Sequence, residues 1–262
     1  MDYRSLHLVY FSPTHSSAKI IYAIAEGIGV TAITELDMTC EDMDLEELID
    51  DELTIVAAPV YGGRVAETAM ERFRKIRSVS HAPVVPVVLY GNRDYEDALR
   101  ELADLLVEQG FVPVAGGAFI GEHSFSRKGM PIAEGRPDVE DLRKAVEFGE
   151  QIKKKLESVS DIALLSPLQV KGNFPYKVKG KPTPQAPVTN EEACVLCGYC
   201  VDICPTHAIS EEDGKIVSDP NACIKCCACV KECPEGARTF DTPYTEMLFK
   251  NFSARREPEM FL

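Results

Sequence analysis

The chain has 262 residues, of which 45% are hydrophobic and 27% are charged, a composition typical of a globular protein with one large or two modest domains. This composition excludes disorder as the main state, and the longest apolar run, residues 82–90, is far shorter than the roughly 20 residues of a membrane span. The net charge of −14 argues against nucleic acid as a ligand and fits either general solubility or an acidic docking face for a basic partner protein.

Short apolar runs alternate with helical patterns over residues 1–160. Each run is rich in Val, Ile or Leu and has the length of a buried strand; the predicted strands are Leu6–Phe11, Thr31–Leu36, Leu53–Ala58, Val84–Tyr90 and Val112–Ile120. The predicted helices are Ser16–Gly27, Glu41–Asp50, Val65–Val79, Asp94–Gln109 and Asp138–Leu156. Successive β–α units predict an α/β fold, a doubly wound parallel five-stranded sheet that binds ligands at the carboxyl ends of its strands.

Three loops at that edge have ligand-binding chemistry. Ser12–Ser17 is rich in hydroxyl groups and precedes a helix, so free amides and the helix dipole suit a phosphate. A simple helix cap is the alternative interpretation, and the glycine patterns of triphosphate and dinucleotide loops are lacking. The loops Ala58–Arg64 and Tyr90–Tyr95 carry tyrosines that can stack on a flat ring and glycines that let amides approach its polar edge.

Residues 161–189 contain prolines and lysines at a density that disfavours regular structure. One interpretation is a plain extended linker that forms a basic spot in an acidic protein. The other is a segment that packs across both flanking parts of the chain, which Asn173, Phe174 and Tyr176 make plausible.

Nine of the ten cysteines lie in residues 194–233. The first residues of the chain lack a secretory pattern, so we expect a cytoplasmic location, where clustered cysteines bind metal more often than they form disulfides. Residues 194–205 and 223–234 both read Cys-x2-Cys-x2-Cys-x3-Cys-Pro. This is the spacing of bacterial ferredoxins with two [4Fe–4S] clusters.

In this spacing three cysteines of one copy and the fourth cysteine of the other copy share a cluster. Cluster one would be held by Cys194, Cys197, Cys200 and Cys233, and cluster two by Cys223, Cys226, Cys229 and Cys204. Structural zinc is the alternative, although zinc sites usually use paired Cys-x2-Cys hooks. We expect the remaining Cys227 to be a small filler and Cys40 a packed or surface thiol.

Residues 1–160 resemble a flavodoxin, and residues 190–242 resemble a two-cluster bacterial ferredoxin with an α+β fold. Together they resemble the flavodoxin–ferredoxin fusion proteins, iron–sulfur flavoproteins of anaerobic microbes. The resemblance implies FMN, two [4Fe–4S] clusters, electron transfer and a sheet ordered 2-1-3-4-5. It implies phosphate binding by Ser12, Thr14, Ser16 and Ser17, ring stacking by Tyr61 and Tyr95, and Gly62 and Asn92 near the polar edge of the ring. The other predicted FMN-site residues are His15, Pro59, Val60, Gly91 and Arg93.

The sequence departs from flavodoxins in two places. The chain has no Trp, whereas flavodoxins often stack one on the flavin, so the assignment of each tyrosine to a face of the ring stays open. His15 stands where flavodoxins commonly carry Gly, and its side chain either contacts the phosphate or faces solvent.

Three functions are compatible with these residues. The first is an intracellular electron carrier or oxidoreductase of low-potential metabolism, which moves electrons between the two clusters and FMN and serves a redox partner protein. The alternative is a flavin-dependent reductase of a small molecule, with the loop that contains His123 forming part of the substrate site. A redox sensor would need a readout segment, and we identify none. A homodimer could pair the clusters of one chain with the flavin of the other, and residues 243–262 form a predicted docking segment.

Overall fold

The computed structural model describes residues 3, 5–40, 46–50, 52–180 and 183–262. The first part of the chain alternates strands with helices. Its elements in chain order are β1 (Ser5–Tyr10), α1 (Ser16–Ile28), β2 (Ala32–Asp37), β3 (Glu47–Leu48), β4 (Leu53–Tyr61), β5 (Arg64–Val65), α2 (Glu67–Phe73), β6 (Ile76–Arg77), β7 (Pro83–Tyr90), α3 (Ala98–Glu108), β8 (Val112–Pro113), β9 (Gly116–Ile120) and α4 (Val139–Glu157).

The second part contains shorter elements. A 3-10 turn at Ile162–Leu164 precedes them, and they are β10 (Val188–Thr189), α5 (Tyr199–Asp202), β11 (Ile209–Glu212), β12 (Lys215–Ser218), α6 (Ala228–Lys231), β13 (Arg238–Thr239), α7 (Pro243–Phe252) and β14 (Glu259–Phe261). Among the helices of the described residues, none combines the length and apolar character needed to cross a membrane.

The central sheet is parallel, with its five main strands in the order β2-β1-β4-β7-β9. Counted along the chain this is the predicted order 2-1-3-4-5, the flavodoxin-like form of the doubly wound fold. Strand β7 is buried over its whole length and β4 over its first six residues, since helices cover both faces. This explains why both strands are continuous apolar runs in the sequence.

Helices α1 and α4 cover one face of the sheet, and α2 and α3 cover the other. Two glycines allow α1 and α4 to approach each other closely. A Cβ atom at Gly27 would lie 1.9 Å from the carbonyl oxygen of Val146, and one at Gly149 would lie 2.1 Å from that of Ile24. A larger residue at either position would force the two helices apart.

The region between β2 and β7 differs from the predicted pattern. Residues 41–45 of the predicted helix Glu41–Asp50 lie outside the described residues, and β3 occupies part of the remainder. The predicted helix Val65–Val79 is shortened to α2, because the chain turns back after Phe73 and β6 pairs in parallel with β3. This pairing is made by residues far apart in the chain, and it overrides the local helical spacing.

The two cysteine motifs repeat the same backbone conformation. Left-handed φ values occur at Leu196 and Lys225, at Gly198 and Cys227, and at His207 and Gly236, pairs that all lie 29 residues apart. Between the motifs, β11 and β12 form the antiparallel hairpin predicted around Asp213–Gly214. Strands β10 and β13 form a second antiparallel pair.

Residues 161–189 and the C-terminal segment, residues 243–262, contact the central sheet and its helices, here called the sheet domain, at many points. Within residues 161–189, the backbone amides of Asn173 and Lys177 donate to the carboxylate of Asp97, and the Tyr176 hydroxyl donates to Asp104. These contacts fasten the described part of this segment along α3. In the C-terminal segment, β14 adds an antiparallel edge strand next to β9, so the sheet has a strand that the sequence pattern did not indicate.

Candidate functional site

A cleft opens at the carboxyl edge of the sheet, where the loops after β1, β4, β7 and β9 meet. The cleft has a volume of about 230 Å³ and is open to solvent on one side. Two residues of the second cysteine motif, Ile224 and Lys225, complete its wall. The cleft therefore lies where a doubly wound sheet binds its ligand.

The loop after β1 forms one end of the cleft. Its backbone turns at His15, which has a φ of 60°, and α1 begins at Ser16. The amide of Ala18 donates to the Ser12 hydroxyl at 3.1 Å, whereas the amides of Ser16 and Ser17 have no protein acceptor among the described residues. Two free N–H groups, cleft-lining hydroxyls and the positive end of a 13-residue helix fit a phosphate.

The centre of the cleft is lined by Tyr61 and Gly62 after β4, and by Tyr90 and Gly91 at the end of β7. The Tyr90 hydroxyl is buried and has no protein partner within the part of the chain that the structure describes. A Cβ atom at Gly91 would lie 2.5 Å from the imidazole of His123. Only glycine therefore lets the loop after β9 close against the loop after β7.

His123 lines the cleft as a neutral imidazole. Its Nδ1 accepts a hydrogen bond from the amide of Phe125 at 3.0 Å, so the ring proton sits on Nε2. Burial lowers the pKa of His123 to about 4, and the positive charges of Lys231 and Arg93 add to this shift. At neutral pH the ring therefore offers one N–H donor and no charge.

Both cysteine motifs are held against the sheet domain by polar contacts, the first through Pro205 and the second through Lys231. The buried guanidinium of Arg72 donates to the carbonyl of Pro205 at 2.7 Å and also to the carbonyls of Met38 and Thr39. Lys231 donates to Glu122 at 2.6 Å. These contacts bring the Cys204 loop and helix α6 next to the loops of the cleft.

Nine predicted FMN-site residues line the cleft together. They are Ser12, Thr14, Ser16, Ser17, Pro59, Val60, Tyr61, Gly62 and Gly91. Residues outside the predicted FMN-site set also line the cleft: Pro13, Leu89, Tyr90, Gly121, Glu122, His123, Ser124, Phe125, Ile224 and Lys225. Those from Gly121 to Phe125 belong to the loop that the sequence predicts for the substrate site of a reductase. The loop after β9 follows a predicted strand and carried a signal, whereas nothing in the sequence indicated that the second cysteine motif would reach the cleft.

Four predicted FMN-site residues do not line the cleft, and the C-terminal segment accounts for two of them. The ring of Tyr95 is buried against Tyr90, and its hydroxyl donates to Glu259 at 3.0 Å. The amide nitrogen of Asn92 donates to the carbonyls of Phe252 and Ala254. Tyr95 is thus a core residue, and the Asn92 side chain fastens the C-terminal segment.

The other two point elsewhere because of their local charges. Arg93 pairs with Glu96, three residues along the chain. The His15 side chain is 63% exposed and faces Glu232 at 3.9 Å. Of the two predicted stacking residues, only Tyr61 therefore remains at the cleft.

The cysteines of the two motifs surround two further cavities. One cavity is lined by Cys194, Cys197, Cys200 and Cys233, and the other by Cys204, Cys223, Cys226, Cys227 and Cys229. Apart from the additional Cys227 in the second cavity, each cavity combines the first three motif cysteines of one copy with the fourth of the other, a grouping compatible with shared cluster ligation.

Backbone amides point at several of these sulfur atoms. The amide of Ala208 donates to Cys204 at 3.2 Å, and that of Ala237 donates to Cys233 at 3.3 Å, at matching positions of the repeat. The amide of Lys225 donates to Cys223 at 3.4 Å. Such donors stabilise thiolates, so the donor set and its surroundings fit [4Fe–4S] clusters.

Cys227 lies beside the second cavity but outside the repeated pattern. It is 2% exposed, and burial raises the pKa of its thiol. Its left-handed φ of 60° matches that of Gly198 in the first copy, a conformation that favours glycine. Cys227 therefore replaces a glycine in the repeat, and Cys40 is a partly buried thiol on the loop after β2.

Tyr61 lines the cleft together with Ile224 and Lys225 of the second cysteine motif. Burial raises the pKa of its hydroxyl well above the ordinary range, with further contributions from Cys226, Cys227 and Cys223.

Comparisons with known proteins found one matching family model and a set of similar solved structures. A family model described as a 4Fe-4S binding domain matches residues 187–210 and 216–239, which supports 4Fe–4S binding. A search of curated proteins found no match.

Among solved structures, a flavodoxin from the domain Archaea is 16% identical, with 58% of this chain and 99% of that chain covered at a TM-score of 0.38. The FMN-bound flavodoxin of Fusobacterium nucleatum is also 16% identical, with 58% and 98% covered and a TM-score of 0.39. The rubredoxin oxygen:oxidoreductase of Desulfovibrio gigas is 13% identical, with 59% of this chain but only 36% of that chain covered and a TM-score of 0.40.

The sheet order and the two cysteine motifs support an electron-transfer redox protein. They combine a flavodoxin-like sheet with a 4Fe–4S binding domain, the pairing that the sequence resemblance implies.

Proposed function

We propose that this chain transfers electrons between two [4Fe–4S] clusters and one FMN, and that it serves as a carrier or oxidoreductase in low-potential metabolism. In this proposal residues 1–160 hold FMN and residues 190–242 hold the clusters. Residues 161–189 and 243–262 fasten the two parts together. Clusters exchange single electrons and FMN accepts one or two, so the combination can convert single electrons into pairs.

One observation carries this proposal. Ile224 and Lys225, which lie between the proposed ligands Cys223 and Cys226, line the same cleft as Ser17 and Tyr61. A cofactor in the cleft and a cluster in the second cavity would therefore be separated by the width of a few side chains. A short separation of this kind is what efficient electron transfer within one chain requires.

The chain's own residues would divide the binding of FMN between them. Ser17 and the free amides at the start of α1 would hold the phosphate. Lys225, whose ammonium group donates to the carbonyl of Thr183, would form part of the cleft wall. Tyr61 would cover a face of the ring system. The neutral His123 would supply one N–H donor at the cleft wall.

Anaerobic titration of the purified full chain with dithionite tests the proposal, with optical and paramagnetic resonance spectra recorded at each step. We expect about eight irons and one FMN per chain, and reducible signals from both cofactor types. A chain that binds about four irons, or that purifies and reconstitutes without flavin, would contradict the proposal.

The position of His123 favours a second candidate function, the reduction of a small molecule at the flavin. A neutral imidazole whose Nε2 carries a proton can orient a polar substrate over the ring. Turnover assays with the reduced chain and a panel of small acceptors separate the two functions. Reduction of protein acceptors alone would remove this second candidate.

A further inference from the structure

Arg238 is a buried cation between the two cysteine-lined cavities. Its side chain is 3% exposed, and it lines the cavity of Cys194, Cys197 and Cys200. Its Nη2 also donates to the sulfur of Cys229, which belongs to the other cavity, at 3.7 Å. A single guanidinium group therefore adjoins both proposed cluster sites.

Among the described residues, Arg238 forms no ion pair with a carboxylate, and its hydrogen bonds go to hydroxyl groups and a sulfur. Nη1 donates to the Thr189 hydroxyl at 2.6 Å, and Nη2 donates to the Ser218 hydroxyl at 2.7 Å. Within the described part of the chain, the buried Nε has no acceptor. Burying a charge without an anionic partner is strongly unfavourable. The arrangement makes sense when the neighbouring cavities contain negatively charged groups, as clusters ligated by four thiolates are.

Arg238 also breaks the symmetry of the internal repeat. It stands five residues after Cys233, and the residue five positions after Cys204 is Ile209. Ile209 lines the second cavity as Arg238 lines the first. An apolar residue and a permanent cation thus occupy equivalent positions, so the two cluster sites have different electrostatic surroundings.

The contact with Cys229 determines which of the two cluster sites the guanidinium charge affects more. Within the described residues, the sulfur that accepts a hydrogen bond from the guanidinium is that of Cys229. A donor at the sulfur and a positive charge both stabilise the more negative, reduced state of a cluster. The effect is largest at the cluster whose ligand the guanidinium touches.

Building on the proposed function, we propose that Arg238 is the buried counter-ion of the cluster held by Cys229 and raises its reduction potential above that of the other cluster. When one electron passes to the cluster held by Cys229, that cluster would be reduced by one electron and the cluster held by Cys194, Cys197, Cys200 and Cys233 would be oxidised by one. The Cys229 set includes Cys223 and Cys226, which flank the cleft residues Ile224 and Lys225. Arg238 would thus keep a single electron on the cluster beside the flavin site.

The test is a redox titration of the full chain with both cofactors bound, followed by paramagnetic resonance. The neutral variant Arg238→Gln is compared with Arg238→Lys, which keeps the charge, and with Lys215→Met. Lys215 is an exposed cation of the same region, paired with Glu191 on the surface, so its loss controls for a simple change in net charge.

We expect two unequal midpoint potentials in the unmodified chain. In Arg238→Gln the higher of the two should fall more than the lower, whereas Arg238→Lys and Lys215→Met should change both much less. If Arg238→Gln loses iron while Arg238→Lys retains about eight irons, the requirement for charge at this position also supports the counter-ion role.

Two results would overturn the inference. One is an Arg238→Gln variant whose midpoint potentials match those of Lys215→Met. The other is a larger fall at the lower-potential cluster. An unmodified chain without two [4Fe–4S] signals would instead overturn the proposed function itself, so the two failures are distinguishable.

Discussion

Replacement of Ser17 by alanine tests the phosphate end of the cleft with little disturbance to the fold. Ser17 is 2% exposed and lies in the first turn of α1, where it lines the cleft. The start of the helix is held separately by the bond from the Ala18 amide to the Ser12 hydroxyl. Ser17→Ala therefore removes a potential ligand of the phosphate and leaves the hydrogen bond between Ala18 and Ser12 intact.

The expected effect follows from the charge of the phosphate and the burial of the serine. A hydrogen bond to a charged group contributes about 1.5–3 kcal/mol. Because the hydroxyl is buried, water cannot readily replace it. We therefore expect FMN to dissociate about 10- to 150-fold more readily from Ser17→Ala than from the unmodified chain.

Titration of the flavin-free chain, with its clusters in place, measures this change through the quenching of flavin fluorescence. Riboflavin, which lacks the phosphate, serves as the matched ligand, and Ser158→Ala at the end of α4 serves as the control variant. We expect Ser17→Ala to weaken FMN binding and to leave riboflavin binding unchanged. An equal loss for both ligands, or no loss for FMN, would refute the assignment of this loop to the phosphate.

Three further predictions concern the clusters, the cleft and the contact between the two parts. Cys204→Ser and Cys226→Ser should remove the same paramagnetic centre despite their different motifs, and loss of different centres would disprove the crossed ligand sets. His123 takes up a proton near pH 6.5 in the unfolded chain but only near pH 4 in the folded chain. The free energy of unfolding should therefore fall by about 1–3 kcal/mol as the pH is lowered from 6.5 to 4. In His123→Gln the melting temperature should lose this pH dependence. A pH profile of the melting temperature identical to that of the unmodified chain would show that His123 is not its cause. Arg72→Met leaves three backbone carbonyls without their donor and should lower the free energy of unfolding by on the order of 3 kcal/mol. We expect faster hydrogen exchange of the amides around Pro205, and unaltered exchange there would contradict a role of Arg72 in holding this loop.

The sheet could be predicted from the sequence because its strands are buried on both faces. The runs Leu53–Ala58 and Val84–Tyr90 correspond closely to β4 and β7, since a strand covered by helices on both sides is apolar throughout. The region around β3 could not be predicted in the same way. Glu47–Leu48 pairs with Ile76–Arg77, and such a pairing across the chain leaves little local pattern.

The candidate site was predictable only where it depends on local sequence. The hydroxyl-rich loop and the cysteine repeat are defined by residue types at short, fixed spacings, so the sequence alone identifies their residues. Tyr95 was assigned to the ring because it follows β7, but Glu259, which is 164 residues away in the chain, holds its hydroxyl in the core. Lys225 reaches the cleft through the packing of the two parts, for which the sequence contains no short-range signal.

The central claim is that electrons pass between the clusters and FMN within one chain. The most direct measurement is a rapid one-electron reduction of the oxidised full chain, with less than one electron supplied per chain and with cluster and flavin absorbance followed in time. The account predicts that the clusters are reduced first and that the electron then reaches FMN with a rate constant independent of protein concentration. Clusters that stay reduced beside oxidised FMN, or a rate proportional to protein concentration, would contradict it.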